Sequence, residues 1–329
     1  MKLQEKEAVV LAAVVASNSL SIELLAKLTG FKYHTVRYNL SLLTEKIVLF
    51  KSILFNPSLL GLQWINIFFS MPLARKQIVL NFLKAHPLVS WLAENSGDSP
   101  YEMTCLVQHV GEVESLLQEV SDRFGVHLDR KELTVETELY FYGYKYLSKG
   151  KLKPSQVTIG WSTERYSCDE EDVKIMSALR SSQHNNDAEI AHSLGIPHST
   201  LVYRIKKLRS KNVIAADLVY IDPVALGLLE VQILITLRSL NAEQIKKFRD
   251  YVQKYPIVVA VIRGIGFWDF KLVVQVQSYT ELFDLQDNLR VLFPDLIKSL
   301  NLVPRRKLYQ IAPVFEFPTN PDFLRARKI

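Results

Sequence analysis

The sequence carries one pattern twice, and this repeat limits the folds that the chain can adopt. The segment 34–50 aligns with 199–215 at an offset of 165 residues, and 55–62 aligns with 221–228 at an offset of 166. The identical pairs of the first alignment are Thr35/Thr200, Tyr38/Tyr203, Leu43/Leu208, Lys46/Lys211 and Val48/Val213. Because the match includes helical and loop residues, it predicts two copies of one unit of roughly 150 residues.

Each copy changes its hydrophobic period after a Leu-Gly-Leu triplet, from the spacing of helices to the alternation of strands. The elements predicted in the first copy are strand 64–71, helix 73–85, strands 88–94 and 101–109, helix 111–124 and strand 131–142. Those predicted in the second are strand 230–237, helix 242–254, strands 257–263 and 268–277, helix 279–293 and strand 296–315. This order predicts an α+β fold with two tandem copies of an N-terminal winged helix-turn-helix followed by a ferredoxin-like βαββαβ module. The predicted boundaries are winged helices 1–58 and 169–224, modules 59–147 and 225–318, a linker 148–168 with room for one short strand, and a basic tail 319–329.

The segment Asn186 to Lys211 has the pattern of two short helices joined by a tight turn. Asn186 and Glu189 have the spacing of a capping box at the start of the first helix. Gly195 suits the left-handed residue that ends this helix, and Pro197 suits the start of the next one. Three apolar residues then fall on one face of the second helix: Leu201, Ile205 and Leu208. The pattern predicts a helix-turn-helix.

The other faces of this second helix are basic. Its cations are Arg204, Lys206, Lys207, Arg209 and Lys211, and no acidic residue interrupts them. A basic helix presented through a short turn fits the DNA major groove, whereas a merely solvated helix face is the alternative interpretation. The apolar stripe fixes the helix rotation, so the expected reading face comprises Ser199, Thr200, Tyr203, Arg204 and Lys207.

The equivalent helix of the first copy is less basic. Its cations are Lys32, Arg37 and Lys46, and its polar candidates for base contacts are His34 and Asn39. Because each cation that neutralises a phosphate adds to the salt dependence of binding, the second copy is expected to supply most phosphate contacts.

Composition agrees with a folded chain that binds an acidic partner. The formal net charge is +6, the isoelectric point is about 9.1, and 48% of residues are hydrophobic. Two cysteines are too few for a disulfide framework, which favours a reducing cytoplasm. The apolar run 8–16 is too short to span a bilayer and follows Glu5 and Glu7, so neither a membrane segment nor a signal peptide is expected.

Other chemistry finds little support in the sequence. The seven histidines lack the spacing of a zinc site, and phosphate-binding, dinucleotide-binding and nucleophile-elbow motifs are absent. The acidic run 169–172 is interpreted as the charged N-terminus of a helix, with a metal site as the less favoured alternative. We therefore expect no metal, no cofactor and no catalytic residues.

These residues resemble the Lrp/AsnC transcription regulators, which join an N-terminal winged helix to a βαββαβ ligand-sensing domain. The resemblance covers nearly the whole chain, twice. Its most specific parts are Gly195 to Leu208, Asn212-Val213-Ile214, Asp222-Pro223 and Leu226-Gly227. It implies a cytoplasmic transcription regulator that binds double-stranded DNA, is not an enzyme and self-associates through its βαββαβ modules, here as a covalent pseudo-dimer.

A second part of the resemblance concerns effectors. Gly266-Phe267-Trp268-Asp269 is similar to the family's G-x-x-D turn, where small effectors, often amino acids, bind between subunits. Gly264 and Gly266 allow close backbone approach, and Asp269 can accept from an ammonium group, so an amino acid is the expected ligand beside Trp268. The alternative is a tight hairpin whose aspartate caps its own backbone. The first copy has a longer hairpin, 97–102, and no ligand is expected there.

Two other functions remain open at this point. The siroheme decarboxylases combine a winged helix with a βαββαβ module in the same way and also occur as two-copy fusions. Such an enzyme needs basic and histidine side chains around an acidic tetrapyrrole, and the strands 64–71 and 230–237 nearly lack them. The third possibility is a ligand-sensing protein that has lost DNA binding.

Overall fold

The computed structural model describes residues 3–148, 152–180 and 186–311, so the predicted basic tail 319–329 and the end of the last predicted strand lie outside it. The described chain mixes helices with antiparallel strands, which agrees with the predicted α+β class. Its helices are α1 (Glu5–Ser17), α2 (Ile22–Thr29), α3 (Tyr33–Lys46), α4 (Lys76–Ala85), α5 (Gly111–Phe124), α6 (Lys145–Ser148), α7 (Glu170–Arg180), α8 (Asp187–Leu194), α9 (His198–Ser210), α10 (Ala242–Lys254) and α11 (Tyr279–Leu292). Its strands are β1 (Val48–Phe55), β2 (Gln63–Ser70), β3 (Val89–Asn95), β4 (Tyr101–Val107), β5 (Asp129–Phe141), β6 (Val157–Gly160), β7 (Ile214–Ile221), β8 (Leu229–Leu237), β9 (Val258–Gly266), β10 (Phe270–Val276) and β11 (Ile297–Ile311).

The chain divides into two compact units, and each combines segments from both halves of the sequence. Unit 1 comprises Met1–Ser52, Glu138–Thr158 and Asp217–Arg305. Unit 2 comprises Ile53–Thr137, Ile159–Ala216 and Arg306–Ile329. Helices α1 to α3 therefore belong to the unit that contains β8 to β10, whereas α7 to α9 belong to the unit that contains β2 to β4.

Unit 1 is built on an antiparallel sheet in which β8 lies between β10 and β11, and β9 pairs with β10. Alternate residues of β8 face its two long helices, because Val231, Ile233 and Ile235 share a buried cluster with Phe248 of α10 and Leu285 of α11. Helices α1 to α3 pack on each other through a separate set of fully buried residues, which includes Val10, Leu11, Leu25, Val36 and Leu43.

Unit 2 contains a second antiparallel sheet, in which β2 lies between β4 and β5, and β3 pairs with β4. Ile65 and Ile67 of β2 share a core with Val79 of α4 and Leu116 of α5. A further core in this unit holds α7, α8 and α9 together, through apolar residues that include Ile175, Met176, Ile190, Leu201 and Leu208.

The predicted helices and strands are largely confirmed. Helices 111–124 and 242–254 have the predicted ends, and the linker contains the short strand β6. Within the described ranges no single helix is long and apolar enough to cross a membrane; α1 and α2 pass that test only together, as a pair bent by 114°.

Candidate nucleic-acid interface

The helices α8 and α9 are joined by the predicted turn, and Asn186 caps α8 as predicted. The Glu189 carboxylate bonds the Asn186 side chain, whereas a capping box would place it on the Asn186 backbone N–H. The Asn186 side chain accepts a hydrogen bond from the Glu189 backbone N–H (3.0 Å), and its amide donates to the Glu189 carboxylate (3.1 Å). Gly195 ends α8 with a left-handed φ of 67°. Leu201 and Leu208 of α9 are fully buried, so this stripe fixes the rotation of the helix.

The exposed side of α9 carries hydroxyl, aromatic and cationic groups. Ser199, Tyr203 and Lys206 lie three or four residues apart, so they form one stripe on the helix surface. Tyr203 is 67% exposed, which is unusual for so large an aromatic residue. The flanking exposed cations are Lys207, Arg209 and Lys211, and Thr200 is half-buried beside them. A hydrogen bond with Tyr166 raises the pKa of Lys207 above its usual value.

Arg204, which the sequence placed on the reading face, is instead engaged by carboxylates of the same unit. Its Nη1 lies 2.7 Å from Asp169 Oδ2 and 2.8 Å from Asp172 Oδ1, and its Nη2 pairs with Glu171. Asp169 Oδ1 also accepts from the Asp172 backbone N–H (2.7 Å), so it caps α7 as predicted. Although burial alone would raise the pKa of Asp169, hydrogen bonds from Arg204 and from the backbone lower it below its usual value.

The counterpart helix α3 exposes Lys32, His34 and Arg37, as the sequence predicts. Asn39, expected to reach DNA bases, differs: it is 5% exposed, and its amide donates to the Thr35 carbonyl of its own helix (2.8 Å). Tyr38 was not proposed as a site residue, yet it is 66% exposed. The identical pair Tyr38/Tyr203 in the repeat alignment was the signal that could have identified it.

The predicted effector hairpin joins β9 to β10. Gly264 N–H donates to the Asp269 carbonyl (2.9 Å) within the hairpin. The Asp269 carboxylate instead accepts from Leu237 N–H (2.7 Å), at the end of the neighbouring strand β8. Trp268 is 1% exposed, and the Lys271 ammonium lies 4.9 Å from its ring centroid. Gly266 has a φ of 145°, a conformation that residues with a side chain rarely adopt.

A buried polar network in unit 2 was missed by sequence reasoning. Asn66 and Glu102 are 0% and 1% exposed, and the Asn66 amide donates to Glu102 Oε1 (3.1 Å) and to Thr104 Oγ1 (3.0 Å). The Asn95 amide donates to Glu102 Oε2 (3.1 Å). The sequence feature that could have indicated this network is Asn66, a polar residue in an otherwise apolar stretch of strand, on the face opposite Ile67. Among the described residues, no group of three or more histidine, cysteine or acidic side chains is placed to hold a metal ion.

Two curated relatives are HTH-type transcriptional regulators, although no protein-family model matches the chain. FL11 of Pyrococcus horikoshii is 29% identical over 123 residues, which is 37% of this chain and 80% of that protein. AldR of Mycolicibacterium smegmatis is 30% identical over 115 residues, which is 35% of this chain and 67% of that protein. About two thirds of this chain therefore lies outside each match.

One class of solved structure is similar along the whole chain. The siroheme decarboxylase NirDL superposes with a TM-score of 0.61, covering 95% of this chain and 96% of the enzyme, at 15% identity. Its complex with an iron-uroporphyrin III analogue gives a TM-score of 0.60. This likeness contradicts the prediction that the chain is not an enzyme. That prediction was drawn from the resemblance to transcription regulators, and an enzyme has the same fold as this chain. At 15% identity the likeness shows only the fold of the chain, so the chemistry has to be argued from its own residues.

Proposed function

The chain belongs to the family of HTH-type transcriptional regulators that includes AldR, and we propose that it is a sequence-specific DNA-binding regulator of the Lrp/AsnC kind. The observation that carries this proposal is the surface of α9. This helix presents a stripe of Ser199, Tyr203 and Lys206, flanked by further exposed cations, while its opposite stripe is buried. A helix with hydroxyl and aromatic groups for base edges and cations for phosphates has the composition that major-groove recognition requires.

The proposed DNA contacts are divided between the two copies. In the second copy they are Ser199, Thr200, Tyr203, Lys206, Lys207, Arg209 and Lys211. In the first copy they are Lys32, His34, Arg37 and Tyr38. Arg204 and Asn39 are left out of both sets, because carboxylates surround the Arg204 guanidinium and Asn39 is buried.

We further propose that the chain is a tandem duplication acting as a covalent pseudo-dimer in the cytoplasm, with the sequence boundaries given above. Each compact unit draws segments from both halves of the chain, so fragments 1–150 and 170–329 should associate when they are produced together. Copurification of the two fragments supports the pseudo-dimer, whereas two independent monomers contradict it.

The proposed effector is an amino acid at the β9–β10 hairpin, with Gly264, Gly266, Trp268 and Asp269 as its neighbours. Calorimetric titration with the common amino acids, wild type against Asp269→Ala, tests this role. Binding that is lost in the variant supports it, and absence of binding to the wild type contradicts it.

DNA binding is tested by selecting duplexes from a random pool with the purified full chain. The proposal expects one sequence to be enriched and to bind at least a hundredfold more tightly than a base-shuffled duplex, since specific complexes exceed nonspecific ones by about 10³ or more. Enrichment of no sequence contradicts it.

A siroheme decarboxylase activity is the second candidate, and the observation that favours it is the full-length likeness to NirDL. Purified protein mixed with siroheme tests it. An absorbance band that remains with the protein through gel filtration, together with loss of carboxyl groups from the tetrapyrrole, supports the enzyme. A tetrapyrrole that elutes separately and unchanged contradicts it.

A further inference from the structure

Arg204 occupies a site built from three carboxylates around the start of α7. Its Nη1 lies 2.9 and 2.7 Å from the two oxygens of Asp169 and 2.8 Å from Asp172, while its Nη2 pairs with Glu171. A planar guanidinium can satisfy several carboxylates at once, which a lysine ammonium cannot do with the same geometry. We call these four residues the Arg204 clasp.

The clasp carries a net negative charge, which disfavours a phosphate, and Arg204 and Asp172 are its shielded members. The Arg204 side chain is 20% exposed and that of Asp172 is 1% exposed. One positive and three negative groups leave the clasp with a formal charge of −2. Removing Arg204 would leave the buried Asp172 carboxylate without this cation, which is unfavourable.

The clasp also lies next to the proposed reading stripe. Arg204 directly follows Tyr203 in α9, and the neighbouring Lys207 ammonium lies 5.7 Å from the ring centroid of Tyr166, whose hydroxyl donates to Asp172 (3.2 Å). The side of α9 beside the stripe is thus tied to α7 and to the segment before it. In the counterpart helix, Asn39 bonds only its own helix among the contacts described.

We infer that Arg204 is a positioning residue: through the clasp it fixes the orientation in which α9 presents Ser199 and Tyr203 to DNA bases. This inference rests on the proposed DNA binding. It implies that the carboxylates of α7 favour specific binding, although each places a negative charge near the DNA. Direct phosphate contact by Arg204 makes the opposite prediction, because removing a carboxylate would then strengthen binding.

The test uses the full chain, the selected duplex, a base-shuffled duplex and a series of salt concentrations. The variants are Arg204→Gln and Asp172→Asn, with Lys206→Ala as the control for a direct phosphate contact. Positioning predicts that both clasp variants lower the affinity ratio of selected to shuffled duplex by about tenfold, the order of one lost base contact, with an unchanged salt slope. Lys206→Ala should instead flatten the salt slope by about one and change the ratio little.

Glu171→Gln extends the test to a variant with little risk of misfolding, since the Glu171 side chain is 35% exposed. A fall in the ratio with an unchanged slope supports positioning for this variant too, and thermal unfolding confirms that each variant is folded. A salt slope flattened by about one in Arg204→Gln overturns the inference, as does tighter binding of both duplexes by Glu171→Gln and Asp172→Asn. Failure of the proposed function itself is distinguishable, because the wild type would then prefer no duplex.

Discussion

The exposed lysines of α9 should set how steeply DNA binding depends on salt. We consider the double variant Lys206→Ala/Lys207→Ala, which removes two exposed cations beside Tyr203. Each neutralised phosphate contributes about 0.9 to the log–log slope, so the loss of two contacts should flatten it by about 1.8. Between about 50 and 200 mM monovalent salt, the wild type should then lose about twelvefold more affinity than the variant.

Fluorescence anisotropy of a labelled duplex, titrated at five salt concentrations, measures this slope. The chain offers a matched control in Lys246→Ala/Lys247→Ala, because these adjacent lysines are also exposed on a helix and their loss changes the net charge equally. The control should bind with the slope of the wild type. Equal flattening by both double variants would refute a localised contact, and an unchanged slope in the α9 variant would refute the role of this face.

Three further predictions concern stability and the effector hairpin. Burial lowers the pKa of His86, and the nearby Glu119 opposes this shift only in part, so the folded state favours the neutral imidazole. Because protonation is then easier in the unfolded chain, the unfolding temperature should fall as pH drops from about 7 to 5. Thermal scans of His86→Asn should show a smaller fall. Gly195→Ala forces a side chain into a left-handed conformation, so it should lower the free energy of unfolding by about 1 kcal/mol in urea titrations. An unchanged free energy of unfolding would show that residue 195 is not left-handed in solution. Asp269→Ala removes the acceptor of Leu237 N–H and should cost about 1 kcal/mol in the same assay; an unaltered midpoint would show that this bond is not formed in solution.

Local structure could be predicted from the sequence because its causes are local. The capping pair Asn186/Glu189, the glycine turn at 195 and the buried spacing of Leu201 and Leu208 depend on neighbours within one or two helical turns. The strands β2 and β8 were likewise predicted at about their observed positions, because their alternating pattern is local.

Long-range partners could not be predicted in the same way. In the sequence, Arg204 cannot be distinguished from the other cations of this basic helix. Only the packing of α9 against α7 brings it to carboxylates that are 32 to 35 residues away in sequence. Asn39 was expected at the surface, but the rotation of α3 places it inside, with its amide bonded to Thr35. The assignment of α1 to α3 to the unit of β8 to β10 also depends on contacts that sequence periodicity does not encode.

Sequence-specific DNA recognition by α9 can be measured by enriching genomic DNA on the immobilised full chain and sequencing what is retained. We expect the retained fragments to share one sequence element and to be lost when Lys206→Ala/Lys207→Ala replaces the wild type at moderate salt. Fragments indistinguishable from those retained without protein, or equally retained by the variant, would contradict it.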